Sequence, residues 1–232
     1  MAFMIKISSV ASRQRGKFIT FEGGDGVGKT TQMEGLATYL RQRGIDLITT
    51  REPGGTAVGE KLRAVLLNSR TTGLSPLAEL GLMFADRAQH IDEMILPALA
   101  RGQWVLCDRF TDSSEAYQGG GRQLGTKVVL QLHKLLCRDL QPDLTILMMS
   151  NVGSSLARAR KRNMEKSKGK QADEDRFEKE IKAFHKRVSD AYLKIAEREQ
   201  QRVAKVDARQ PQDKVHRRIV ELVEARLRLP PE

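Results

Sequence analysis

Phe18-Ile19-Thr20-Phe21-Glu22-Gly23-Gly24-Asp25-Gly26-Val27-Gly28-Lys29-Thr30-Thr31 is the stretch that decides the fold. Its opening residues are aromatic and β-branched and read as a short strand. Gly23 to Thr30 follow the spacing G-x-x-x-x-G-K-[ST], and the residues from Thr30 to Arg43 read as an amphipathic helix. A strand, a glycine loop and a helix in that order aim a helix N-terminus at an anion. The glycines let backbone N–H groups turn inward toward phosphate oxygens. Lys29 brings a fixed charge for the β and γ phosphates, and the Thr30 hydroxyl is placed to ligate the Mg²⁺ that bridges them. The stretch predicts a P-loop that grips a nucleotide.

Outward from this loop, strands and helices alternate. Candidate strands cover 17–21, 46–50, 104–108, 143–149 and 202–206. Helical patterns cover 30–43, 56–68, 76–101, 126–138, 153–163, 174–200 and 211–228. Apolar strands separated by helices predict an α/β fold, a five-stranded parallel sheet with helices on both faces. In such sheets ligands sit beyond the carboxyl ends of the strands. Ser75-Pro76 reads as a cap followed by proline at the first helical position. Pro97 is expected to kink the long helix near its end.

At 232 residues, one domain over 17–232 is expected, preceded by a disordered basic extension over 1–16 that lacks the apolar core of a secretory signal. No apolar run reaches the roughly 18 residues of a membrane helix. Cys107 and Cys137 lie in apolar stretches and read as buried free thiols, which points to the cytoplasm. The net charge is +11, and much of the excess sits in 158–170, where Arg158, Arg160, Lys161, Arg162, Lys166, Lys168 and Lys170 face Glu165 alone. That localisation favours a mobile anion-handling segment over a nucleic-acid footprint. Residues 164–171, lysine-rich with Gly169, are expected to form a surface loop.

Other strand ends carry chemistry. The strand at 104–108 ends in Asp108, a second candidate support for Mg²⁺, and Arg109 follows it, able to bind a phosphate bidentately. Arg51-Glu52-Pro53-Gly54-Gly55-Thr56 follows the second strand. Ser113-Ser114-Glu115-Ala116-Tyr117-Gln118-Gly119-Gly120-Gly121-Arg122 follows the third, its glycines allowing close approach of a ligand or a neighbouring helix. Met83 and Arg87 share one face of the long helix, where an apolar group beside an arginine could hold a flat base.

In order and spacing, from about residue 17 to 208, these segments with Ala85-Asp86-Arg87-Ala88-Gln89-His90 and Asp108-Arg109-Phe110 resemble the bacterial thymidylate kinases. The resemblance implies transfer of the ATP γ-phosphate to dTMP, giving dTDP, with Mg²⁺ as cofactor. It implies that Gly23, Gly24, Asp25, Gly26, Val27, Gly28, Lys29, Thr30 and Thr31 bind ATP and that Thr30 and Asp108 serve the metal. It implies a dTMP site of Asp25, Glu52, Met83, Phe84, Arg87, Arg109, Ser114, Tyr117 and Gln118. Within it Asp25 faces the sugar 3′-hydroxyl, Arg109 the acceptor phosphate, Arg87 the thymine and Ser114 its N3. Tyr117 crowds the sugar 2′ position. Lys29, Arg109 and Asp25 are the implied catalytic residues, with an arginine from a mobile lid over 153–172. Val27 stands where a basic residue would otherwise serve, so Arg158, Arg160 and Arg162 are the lid candidates. The resemblance further implies a homodimer through the 76–101 helix and its neighbours.

Two positions depart from that pattern. Met83 stands where the family usually stacks a phenylalanine on thymine. Either Met83 packs on the base through its sulfur or the helix shifts to let Phe84 stack. Ser150-Asn151 replaces a usual aspartate after the fourth strand, so no metal role is assigned there. Among other classes, a regulatory GTPase would need an Asn-Lys-x-Asp segment, and none occurs. A nucleic-acid-dependent ATPase leaves the Asp-Arg-Phe and Gly-Gly-Gly-Arg segments unexplained. Another nucleoside monophosphate kinase is the nearest rival.

Overall fold

Alternate residues of each strand belong to opposite faces of a sheet, so a strand buried on both faces needs two separate cores. The computed structural model describes residues 15–68, 70–167 and 176–229, with the side chains of residues 160 and 162–167 outside that set. Its strands are β1 (Phe18–Glu22), β2 (Leu47–Arg51), β3 (Trp104–Asp108), β4 (Leu144–Met149) and β5 (Val203–Asp207). They form one parallel sheet in the order β2-β3-β1-β4-β5. Ile19, Phe21, Leu106 and Ile146 pack on one side, with Leu36 and Leu40 of helix α1 (Lys29–Gln42) and Ile219 and Val223 of helix α9 (Gln212–Arg226). Phe18, Val105 and Cys107 pack on the other, with Leu80 and Phe84 of α3 (Pro76–His90) and Leu99 of α4 (Leu96–Ala100). Each such side chain taken fully out of water stabilises the fold by about 1.5–3 kcal/mol.

The remaining helices are α2 (Ala57–Leu67), α5 (Thr111–Ser114), α6 (Thr126–Leu136), α7 (Val152–Ser167) and α8 (Lys182–Arg198). Ser75 caps α3 by accepting from the Ala78 N–H at 3.3 Å, with Pro76 in the first turn. The long helix expected over 76–101 is instead α3, a wide π turn over Ile91–Ile95, and α4. The widened turn lies just before Pro97, which has no N–H to donate and would crowd a regular α turn. Helix α8 starts at Lys182, well after the expected 174, because Arg176 and Phe177 are drawn into contacts with α2 and Tyr117. Helix α7 runs on through Ser167, so the loop expected over 164–171 begins as helix, and its remainder lies outside the described residues.

Sequence patterning missed the coil of Thr111–Ser114 that continues as a π turn over Glu115–Gly121. Glycine is a poor helix former, which hides the signal. What these glycines serve is contact with α8: a Cβ on Gly121 would lie 2.5 Å from the Phe184 ring.

The basic extension expected over 1–16 falls mostly on residues 1–14, outside the described residues. Gly16 already donates to the Leu99 carbonyl at 2.9 Å. Among the described residues no helix is long and apolar enough to cross a membrane.

Candidate active site

β1 and β3 are neighbours, and their register sets Phe21 beside Asp108. The loop after β1 and the residues after β3 therefore emerge together at the carboxyl edge of the sheet. The Thr30 hydroxyl, in the first turn of α1, donates to Asp108 Oδ2 at 3.0 Å. Asp108 Oδ1 is buried with no hydrogen-bond partner among the described residues. Lys29 is buried, with Nζ 3.0 Å from the Gly24 carbonyl and 3.3 Å from that of Gly23. Burial, and next the neighbouring Arg109 charge, depress its pKa to about 8.

Arg109 has φ 75°, a left-handed backbone that costs a non-glycine residue on the order of 1–3 kcal/mol and is kept where its surroundings over-determine it. Here the surroundings do. Nη1 donates to the Gly23 carbonyl and to Ser113 Oγ, both at 3.0 Å. Nη2 meets Asp25 Oδ1 at 2.6 Å. The Tyr117 hydroxyl donates to Asp25 Oδ2 at 2.9 Å. Burial works against the charge on Asp25, but Arg109 and then Lys29 hold its carboxyl below the usual carboxylate range. This ion pair ties the apex of the glycine loop to the end of β3.

Beneath it lies a carboxylate that sequence reasoning quoted without a role. Glu22, fully buried at the end of β1, accepts from the Phe110 N–H at 2.7 Å, Ser113 Oγ at 2.6 Å and the Tyr192 hydroxyl at 3.0 Å. Burial, with Asp112 next, raises its pKa to about 7. A carboxylate closing an apolar strand was the signal, as it was for Asp108. Ser113 and Tyr192 carried no local signal, because they join the group only through folding.

The residues expected around the base lie on α3, on α5 and the π turn that continues it, and just after β2. Arg87 is buried; its Nε meets Glu52 Oε2 at 2.7 Å, and its Nη2 donates to Ser114 Oγ at 3.0 Å and the Phe110 carbonyl at 3.2 Å. Its Nη1 is buried with no hydrogen-bond partner among the described residues. Glu52, expected at the dTMP itself, has its other oxygen on His90 Nδ1 at 2.9 Å, so both of its oxygens are engaged. Phe84 is fully buried in the core under the sheet, with the Arg87 guanidinium 4.9 Å over its ring. Met83 packs instead in the cluster that holds Tyr117 and Phe177. Gln118 donates to Glu79 at 2.8 Å, and the same buried carboxylate gathers Arg122 and Arg176.

Helix α7 presses on the glycine loop. A Cβ at Gly26 would lie 2.1 Å from the Ser155 carbonyl oxygen, so only glycine fits there. Arg158 Nε donates to the Gly26 carbonyl at 2.9 Å. The side chains of Arg160 and Arg162 lie outside the described ones. An open cleft is lined by Gly24, Asp25, Val27, Tyr117, Leu156 and His185. The glycine loop forms part of its wall, and Asp25 in that wall is paired with Arg109. Such an arrangement can bring two phosphorylated molecules together.

The family model for thymidylate kinase matches residues 21–219. The thymidylate kinase of Desulfovibrio desulfuricans is 49% identical over 211 residues, covering 91% of this chain and 96% of that protein. That of Teredinibacter turnerae is 46% identical over 210 residues, covering 90% and 98%. The crystal structure of thymidylate kinase from Ehrlichia chaffeensis superposes with a TM-score of 0.70 at 32% identity, covering 90% of this chain and 99% of that one. With a P-loop, an Asp-Arg strand end and a buried arginine assembled in one site, and relatives matching over nearly the whole length, the chain belongs to the thymidylate kinase family, whose reaction is the phosphorylation of dTMP to dTDP.

Proposed function

We propose that this site passes the γ-phosphate of ATP directly to the phosphate of dTMP, in line, with no enzyme-bound phosphate. The Asp25–Arg109 ion pair at 2.6 Å carries the reading, because it joins the nucleotide-gripping loop to the strand end that would hold the second substrate. A phosphate monoester is already a charged nucleophile near neutral pH, so no general base is required. The protein's work is positioning and neutralisation of charge.

In this reading residues 23–31 bind ATP and Lys29 offsets the charge of its β and γ phosphates. Arg109 orients the acceptor phosphate and Asp25 faces the sugar 3′-hydroxyl. Tyr117 crowds the 2′ position, and Gln118 lies along the base beside Ser114. Arg87 reads the base through the N–H groups of Nη1, and a carbonyl oxygen of thymine is the acceptor they require. Met83, clustered with Tyr117, lies against the base, while Phe84 and Glu52 support Arg87 from behind. Helix α7 is the described part of a lid over 153–172. Arg158, already on the Gly26 carbonyl, is its first candidate to clamp ATP.

Thr30 and Asp108 fit Mg²⁺: both are hard oxygen donors, and Asp108 Oδ1 is a buried oxygen without a partner among the described residues. When bound, the ion would supply charge stabilisation between the two phosphates being parted. We read the enzyme as a single kinase domain from residue 17 onward, acting as a homodimer through the 76–101 region. Its free thiols fit the cytoplasm, and the +11 charge serves phosphates rather than nucleic acid.

A coupled ADP-release assay over dTMP, dUMP, UMP, dCMP, AMP and GMP tests the reading. Fastest turnover at the lowest KM is expected with dTMP. Preference for any other acceptor would overturn the assignment of the base pocket and leave the reaction class standing.

A further inference from the structure

Arg87 ends a buried chain of hydrogen bonds that begins on β2. Thr50 Oγ1 lies 2.7 Å from His90 Nε2, and His90 Nδ1 lies 2.9 Å from Glu52 Oε1. Glu52 Oε2 then meets Arg87 Nε at 2.7 Å. All four side chains are buried. His90 and Arg87 stand three residues apart on α3, one turn of the same face. The proton positions follow from the partners. An ionised Glu52 can only accept, so His90 carries its proton on Nδ1. Nε2, on the other side of the ring, pairs with the Thr50 hydroxyl.

Glu52, His90 and Cys107 also offer ligand atoms within 4.8 Å of one another, as a metal site would. The Arg87 guanidinium on Glu52 and the occupied nitrogens of His90 assign the group to hydrogen bonding instead.

We propose that His90, backed by Thr50, is a positioning residue for base selection, fixing Glu52 so that Glu52 fixes the plane of Arg87. The guanidinium is planar, and with Nε and Nη2 held, the direction of Nη1 is set. Nη1 is then aimed as a pure donor. It accepts a base with a carbonyl at that place and rejects one with an amino group, whose N–H would face another N–H. This rests on the reading of Arg87 as the group that recognises the base.

The test compares the wild type with His90→Leu, His90→Asn, Thr50→Val and Arg87→Lys. It measures kcat and KM for dTMP and for dCMP, KM for ATP, and the thermal midpoint. His90→Leu is expected to raise the KM for dTMP on the order of tenfold, the size of one lost hydrogen bond to a charged group. The preference for dTMP over dCMP should narrow while the KM for ATP stays put. His90→Asn, whose amide N–H can replace that of Nδ1, should recover part of the preference. Thr50→Val should move in the direction of His90→Leu by less. A folded His90→Leu protein with wild-type dTMP KM and preference overturns the proposal, as does a loss matched by an equal rise in the KM for ATP. If His90→Leu does not fold, Thr50→Val decides, and an unchanged preference there overturns it equally. Arg87→Lys separates the two layers. If it leaves the preference unchanged, Arg87 does not read the base. If it collapses the preference while His90→Leu does not, only the positioning role fails.

Discussion

Lys29 sits among competing charges and holds its proton less tightly than an ordinary lysine. Burial and Arg109 depress its pKa to about 8. As pH rises through that value the free enzyme loses the cation proposed to meet ATP, so kcat/KM for ATP should fall. Phosphates bound beside Lys29 hold its proton on, so kcat should persist to higher pH. A pH–rate profile checks this, because kcat/KM reports the free enzyme and kcat the bound one. Coincident breaks in the two profiles would count against it. Lys29, Thr30, Asp108 and Arg109 were legible in the sequence because their chemistry is local: a loop spacing and a strand end place them. Glu22, Tyr192 and His90 were not, since a buried glutamate, a helix tyrosine and a helix histidine look the same in sequence whether or not folding brings them to a site. Glu52 was legible by its position after the second strand, but its contacts to Arg87 and His90 were not, because folding alone brings those side chains to it.

At the scale of elements, periodicity recovered every strand to within a residue and most helices, because a sheet covered on both faces leaves runs of apolar residues. It failed where tertiary contacts override propensity. The segment over Thr111–Gly121 is coiled although it holds three glycines in a row, because α8 packs so closely that Gly121 has no room for a side chain. The start of α8 was misjudged for a related reason. Arg176 donates to Glu79 at 2.7 Å and Phe177 lies edge-on to Tyr117, contacts to residues distant in sequence that no local window contains. Met83 and Phe84, neighbours in sequence and both weighed for the base, pack in different places. Phe84 joins the core beneath the sheet, and Met83 joins the cluster of Tyr117.

For the molecule as a whole, Glu22 links the site to stability. Its pKa is about 7 in the folded chain against 4.5 for an ordinary glutamate, through burial and then Asp112. Between these values the folded state binds more protons than the unfolded one, so stability falls as pH rises. The contribution is complete below 4.5 and is lost as pH passes through about 7. Asp86, raised to about 7 by burial and Glu52, acts with the same sign. Thermal midpoints measured across this window should decline for the wild type and decline less for Glu22→Gln, which cannot ionise. Parallel slopes for the two proteins would exclude Glu22 as a source.

Cys107 and Cys137 have a different use. Both thiols are free and buried, one in a strand flanked by β1 and β2, the other just past the end of α6. Burial pushes both pKa values up, that of Cys137 to about 12. A reagent that attacks thiolate finds none on the native protein and must wait for the chain to open. The two sulfurs are thus a built-in stopwatch. Labelled together, they time the unfolding of the whole sheet; labelled in sequence, they show the rim of α6 coming away first.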